Sequence, residues 1–220
     1  MLPLQRLLIS LPAFLLGIIF HEVGHAYAAD RLGDDTARRM GRLSLSPAAH
    51  LDPVGTLMFV ISSLSGFGFG WAKPVPVAVE RLRHPRRDDV IVSLAGVTAN
   101  LAQAVGWALV ARGVYRYAWD SSWGVAVGTF CALGVAINLM LTLFNLLPIP
   151  PLDGSHVAVR LLGIDDPHLV YRLAPLGLVA LVLFLRSSAF DRLMNAVYIP
   201  VLTRLLPVEV VYQLWRLLGG

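Results

Sequence analysis

Leu7-Leu8-Ile9-Ser10-Leu11-Pro12-Ala13-Phe14-Leu15-Leu16-Gly17-Ile18-Ile19-Phe20-His21-Glu22-Val23-Gly24-His25 begins as an uncharged apolar run and ends in two histidines and a glutamate. The apolar part predicts a helix from about Leu4 to Ala29, with Pro12 as a candidate kink and the polar stretch Asp30 to Asp35 as its stop. No small-residue cleavage site separates the run from the polar cluster, so it reads as retained rather than as a cleaved leader. His21 and His25 stand four apart, which puts both imidazoles on one helix face where they can share one zinc ion, with Glu22 beside them. Zinc lowers the pKa of bound water from about 15.7 toward about 7, and a neighbouring carboxylate can take the proton as hydroxide attacks a carbonyl. Ionisable groups inside a membrane run are costly and persist mainly where they face a polar interior and perform a function.

Composition agrees with a membrane setting. Hydrophobic residues make up 56% and charged residues 15% of 220 residues, against about a quarter charged in soluble domains. Several runs reach the roughly 20 residues that cross a hydrocarbon core. The chain therefore reads as one membrane-embedded domain over 1–220, with a core at 4–165 and C-terminal helices at 166–220. Cys131 is the single cysteine, which excludes a disulfide framework, and it reads as a small packing residue. The net charge of +4 is spread over short loops rather than gathered with aromatics on one face, so no nucleic acid is expected as a partner.

Beyond the first helix, Arg42 to Ser46 alternates apolar and polar residues, as a short strand would. Val54 to Trp71 is apolar but interrupted by Gly66, Gly68 and Gly70, and the prolines of Lys73-Pro74-Val75-Pro76-Val77 make the next segment extended. Strong spans are predicted at about Val90 to Val110 and Val125 to Leu147, and another at Leu169 to Leu185. The tail from Leu193 to Leu218 is expected to be broken by Pro200 and Pro207, either spanning or lying at the interface. The fold class is thus an all-α polytopic membrane protein: a bundle of about 4–6 transmembrane helices with a small embedded β segment and a re-entrant element. Lys73, Arg81, Arg83, Arg86 and Arg87 give the loop before Val90 the heaviest basic count, which puts it on the cytoplasmic side.

Two histidines leave a tetrahedral zinc in need of a third protein ligand and one open position. Asp153 is the best candidate, because Pro148, Pro150, Pro151 and Gly154 surround it with non-helical backbone of the kind tolerated at membrane depth only in a protein interior or cavity. Asp153 also suits the N-cap of the following segment, and the two roles are compatible. His156 is a candidate partner or substitute ligand, His50 a structural hydrogen-bonder, and His84 and His168 loop residues. Asn100 reads equally as an interhelical hydrogen bond with no catalytic part.

With these motifs in order, the chain resembles the site-2 protease family of intramembrane zinc metalloproteases (peptidase family M50), in its short form lacking a PDZ domain. The matching pieces are His21 to His25, Gly33 to Ala37, Gly41 to Leu45, His50 to Thr56, Gly70 to Val77, Ser93 to Gly96 with Asn100, and Asn145 to Gly154. Ser46, Ala78 and Val97 depart from the residues usual in that family. The resemblance implies one zinc ion per chain held by His21, His25 and Asp153, Glu22 as base, and Asn145 near the substrate strand or the oxyanion. It also implies that Gly41 to Leu45 belongs to an embedded sheet able to receive a substrate strand. The partners it implies are membrane protein substrates and the lipid bilayer, in a bacterial or archaeal cell membrane, and the basic loop before Val90 puts the site toward the cytoplasm. The rival function is a non-proteolytic membrane metal-binding protein or an inactive scaffold of the same fold. Glu22 speaks against both, since metal binding alone has no use for that carboxylate.

Overall fold

A computed structural model describes residues 3–64, 70–166 and 168–218. Helix α1 (Pro3–Arg31) carries the whole opening run, with Pro12 inside it. It stops because Gly33 takes a φ of 116°, a left-handed conformation that lets Asp34 N–H reach the Ala29 carbonyl at 2.9 Å and Gly33 N–H the Asp30 carbonyl at 3.4 Å. Two single-turn helices, α2 (Thr36–Arg39) and α3 (Pro47–His50), lead into α4 (Pro53–Leu64).

At about 1.5 Å per residue the 12 residues of α4 extend only about 18 Å, short of the roughly 30 Å of a bilayer core. The chain then comes back to where it started. Lys73 N–H donates to the His50 carbonyl at 2.8 Å, and Leu51 forms an antiparallel bridge with Ala72. Gly55 is required here, because a Cβ would lie 2.1 Å from the Trp71 carbonyl oxygen. The segment Val54 to Trp71 therefore has its two ends side by side, the closure that a re-entrant hairpin requires. Gly66 and Gly68, the glycines expected at its interruption, lie outside the described residues.

The strand expected at Arg42 to Ser46 is a correction. Among the described residues there is no strand, and this segment is turn and irregular backbone. Gly41, at φ 68°, turns the chain, and the neighbouring segment carries Pro74 and Pro76, which lack the N–H groups that a ladder needs. Side-chain bonding replaces the ladder: the Arg42 guanidinium donates to the carbonyls of Lys73 and of Pro74, the latter at 3.1 Å.

Two long helices form the centre. Helix α5 (Pro85–Ala118) has 34 residues and outruns the predicted span at both ends, starting where His84 N–H donates to the Asp88 carboxylate at 2.9 Å. Helix α6 (Ser122–Asn145) is capped by the Ser121 hydroxyl, which accepts from Gly124 N–H at 3.1 Å. Ala104, Ala108 and Ala111 of α5 meet Ala132, Val135, Ala136 and Leu139 of α6 in the main core, where small side chains allow close helix approach. Gly24 of α1 lies on Ala95 and Ala99 of α5, and Gly17 lies on Ile137, Asn138 and Leu141 of α6. Gly17 lies beside Ile137 and Asn138 whereas His25, further along α1, meets Asp153 beyond the end of α6, so α1 and α6 run parallel; His25 meets Val92 and His21 meets Asn100, so α5 runs against both.

The C-terminal part begins with α7 (Asp153–Leu161) and α8 (Leu169–Leu185), followed by α9 (Ser188–Leu193), a π turn (Met194–Tyr198), α10 (Ile199–Leu205) and α11 (Val208–Leu218). Pro200 does not break the chain as expected. The π turn re-registers the backbone just before it, and the interruption comes at Leu206-Pro207. Among the described residues, three helices are long and apolar enough to cross a membrane, or four if α8 and the helix from Ser188 to Leu205, bent by 68°, count as one span. The expected bundle of 4–6 is met only at its lower end, and then only with the bent pair counted. Leu176, Val179, Val182 and Leu183 of α8 stand exposed, a surface suited to hydrocarbon rather than water. This is a membrane protein.

Candidate metal centre

Helical spacing on α1 and the sharp start of α7 bring three donors together. His21 Nε2 and Asp153 Oδ2 are 3.2 Å apart, His25 Nε2 and Asp153 Oδ2 3.3 Å, and the two Nε2 atoms 3.0 Å. A tetrahedral zinc with ligands at about 2.0–2.2 Å has donor–donor edges of about 3.3–3.6 Å, so this triangle is close to the size one face requires. It is the one group of three or more such donors found among the described residues. The donor set of two imidazoles and one carboxylate suits zinc better than the all-oxygen shells of magnesium or calcium. Asp153 Oδ2 is buried with no hydrogen-bond donor of its own, as a carboxylate oxygen reserved for a cation would be.

The outer nitrogens of both rings are committed. His21 Nδ1–H donates to Asn100 Oδ1 at 2.6 Å, and His25 Nδ1–H to the Val92 carbonyl at 2.8 Å. Each bond leaves the Nε2 lone pair facing the other donors, the tautomer a metal needs. Asn100 is fixed in turn, its amide donating to the Gly17 carbonyl at 3.0 Å and to Asn138 Oδ1 at 2.8 Å. The interhelical bond expected of Asn100 exists, and the same side chain also orients the His21 ring.

Residues 112–184 match the family model described as Peptidase family M50, a stretch that includes Asp153. A Bacillus subtilis (strain 168) protein named "Putative zinc metalloprotease YwhC" is 39% identical over 157 residues, covering 70% of this chain and 69% of the relative. The chain belongs to peptidase family M50. A Mycolicibacterium smegmatis protein named "Putative zinc metalloprotease Rip2" is 32% identical over 194 residues, 84% of this chain and 69% of the relative. No solved structure matches the chain.

Other expected site residues of this M50 member fall as follows. Glu22 is buried beside the histidines and its Oε2 accepts from Val75 N–H at 2.7 Å. Between Pro74 and Pro76, Val75 supplies the one backbone donor. Asp153 opens α7 without acting as its cap, a position Leu152 takes. Asn145 is the last residue of α6, with its amide donating to the Leu141 carbonyl at 3.0 Å, and the structure does not bring it into the donor cluster. His156 Nδ1 lies 3.6 Å from Asp89 Oδ1 and serves that carboxylate instead of the metal triangle. His50 is buried with Nε2 on the Ser44 carbonyl at 2.6 Å, a structural role as expected.

Sequence reading passed over the part played by Gly96. A Cβ there would lie 2.4 Å from His25 Nε2 and 2.7 Å from His21 Cε1. Helix propensity alone favours Gly96→Ala by about 1 kcal/mol. The expected result is nonetheless a protein purified with well under half the zinc of wild type, because the methyl group displaces both imidazoles. Metal analysis of the two proteins side by side checks this, and a fully loaded G96A would show that the rings have room to move.

Proposed function

We propose that this M50 member is an intramembrane zinc endopeptidase that cuts transmembrane or membrane-proximal segments of other proteins. The observation that carries the reading is the meeting of His21, His25 and Asp153 within 3.0–3.3 Å, beside a buried Glu22 and among apolar helices. One zinc held there would supply Lewis acidity toward water and a peptide carbonyl. Glu22 has one oxygen held by Val75 N–H, and its other oxygen would accept the proton of the attacking water. A helical peptide bond is shielded and internally bonded, so the substrate must be unwound. In this reading Asn145, the last residue of α6, stands near the unwound strand or the developing oxyanion.

The test is co-expression with a set of single-span membrane proteins. Cleavage fragments should appear with the wild type and disappear with Glu22→Gln; their absence in both would favour a non-proteolytic metal protein.

His25 lies near the C-terminal end of α1, and Asp153 follows the C-terminal end of the parallel α6, so the site lies toward one face. The arginines of the loop before α5 make that face cytoplasmic, with the N-terminus and the loop around Asp120 outside. In a Cys131→Ala background, single cysteines at Asp35, Arg83 and Asp120 should label with an impermeant reagent on intact cells only at 120. Labelling at 83 but not at 35 would mean that Val54 to Trp71 crosses fully.

A further inference from the structure

Helix α5 supports the donors through one face. Val92, Gly96 and Asn100 succeed one another every four residues, and they respectively hold the His25 ring, make room for both rings and hold the His21 ring. Asp89 is next on that face, three residues before Val92, and it touches neither histidine. Its Oδ2 accepts from Arg160 Nε at 2.6 Å and its Oδ1 lies 3.6 Å from His156 Nδ1.

His156 and Arg160 share a face of α7 with Asp153, at spacings of three and seven from it respectively. Helix α7 has nine residues, follows the proline-rich turn at 148–151, and packs chiefly against α5. It is too short to fix its own rotation, and Asp89 ties it to α5 through two side chains of that face, Arg160 at 2.6 Å and His156 at 3.6 Å, the Arg160 pair being the closer. The side chains of Arg160 and Asp89 are only 6% and 4% exposed. Such a pair contributes little net stability over apolar side chains of the same volume, whereas it is directional and sets register. Val92 and Asp89 are one helical turn apart, so α5 registers the imidazoles and the carboxylate against a single rigid ruler.

We infer that Asp89 and Arg160 are positioning residues for the third metal donor: their ion pair fixes the rotation and height of α7, and thereby the distance from Asp153 Oδ2 to the two Nε2 atoms. This inference rests on the metal-site reading above. Neither residue contacts the donor atoms, and their effect passes through the backbone of α7.

The test measures zinc affinity of the full chain in detergent by chelator competition, together with the visible spectrum of the cobalt-substituted protein. Arg160→Met, which keeps most of the volume, and Asp89→Asn should each weaken zinc by about 10- to 100-fold, the usual effect of losing support behind a ligand. Both should alter the cobalt bands, and the double variant should be no worse than the weaker single one. Tyr198→Phe, which removes a hydrogen bond to the Ala136 carbonyl remote from the site, should lower thermal stability without changing either metal readout. Should Arg160→Met fail to fold, Arg160→Lys carries the measurement, with a loss of several-fold expected.

A folded Arg160→Met, or failing that Arg160→Lys, with zinc affinity within twofold of wild type and unchanged cobalt bands overturns the inference. If Asp153→Ala loses zinc while the Arg160 variants do not, only the positioning role falls. If the wild type itself binds no zinc, the metal-site reading falls and this role with it.

Discussion

Glu22→Gln is expected to retain its zinc and lose about 10²- to 10⁴-fold in turnover, the usual contribution of a general base. The amide has the shape of the carboxylate, and its carbonyl oxygen can still accept from Val75 N–H, so the proline-flanked segment has no reason to shift. What it lacks is the second oxygen able to take a proton from water. Metal content and cleavage should be read on the same preparation: full zinc with lost cleavage supports the role, and turnover near wild type removes it. Loss of metal together with activity would instead mean that Glu22 holds the site together.

Asp153→Ala separates from that variant by its metal content. It removes one corner of the donor triangle, and zinc should fall below about a tenth of an equivalent, with activity falling in parallel. His21→Ala should behave alike. His156 sits three residues on and is the obvious replacement, but it is drawn toward Asp89 at 3.6 Å and would have to leave that partner to reach the donors. A fully metallated and active Asp153→Ala would move the ligand role elsewhere. Because a ligand that binds only the folded state stabilises it by mass action, chelation should lower the melting temperature of the wild type and leave Asp153→Ala unchanged.

Much of the donor set was legible because its signals are local. A four-residue spacing on one helix fixes where two imidazoles point, and no packing detail can move them to opposite faces. Asp153 stood out because prolines and a glycine in an apolar chain have few physical justifications. The fold class was legible for the same kind of reason, since apolar runs of span length have one common use. What failed depends on partners distant in sequence. The alternation at Arg42 to Ser46 is a genuine strand pattern, but a strand also needs a neighbour with free N–H groups, and Pro74 and Pro76 withhold them. Pro200 was read as a break because a π turn leaves no mark in local sequence. Gly96 and the Asp89–Arg160 pair were illegible for a further reason: their meaning lies in which helix faces meet, and that register is set by the small residues of α1, α5 and α6 taken together.

The hairpin closed by His50 and Lys73 bears on how the chain enters a membrane. Its two ends are held by the hydrogen bond between those residues, so the 12 residues of α4 between them have no need to draw either flank across a bilayer. Lys73, Arg81, Arg83, Arg86 and Arg87 follow directly, and each cation taken to the bilayer centre would cost about 2.5–3.5 kcal/mol. A translocating channel would thus have to thread only the true spans, and the hairpin could fold from one side after them, pressed in as a wedge against α1, on which Phe59 stacks with Phe14 at a ring separation of 4.0 Å. Lengthening α4 toward the roughly 20 residues of a full span would set insertion against that closure, and the basic loop would be left with two sides to choose from.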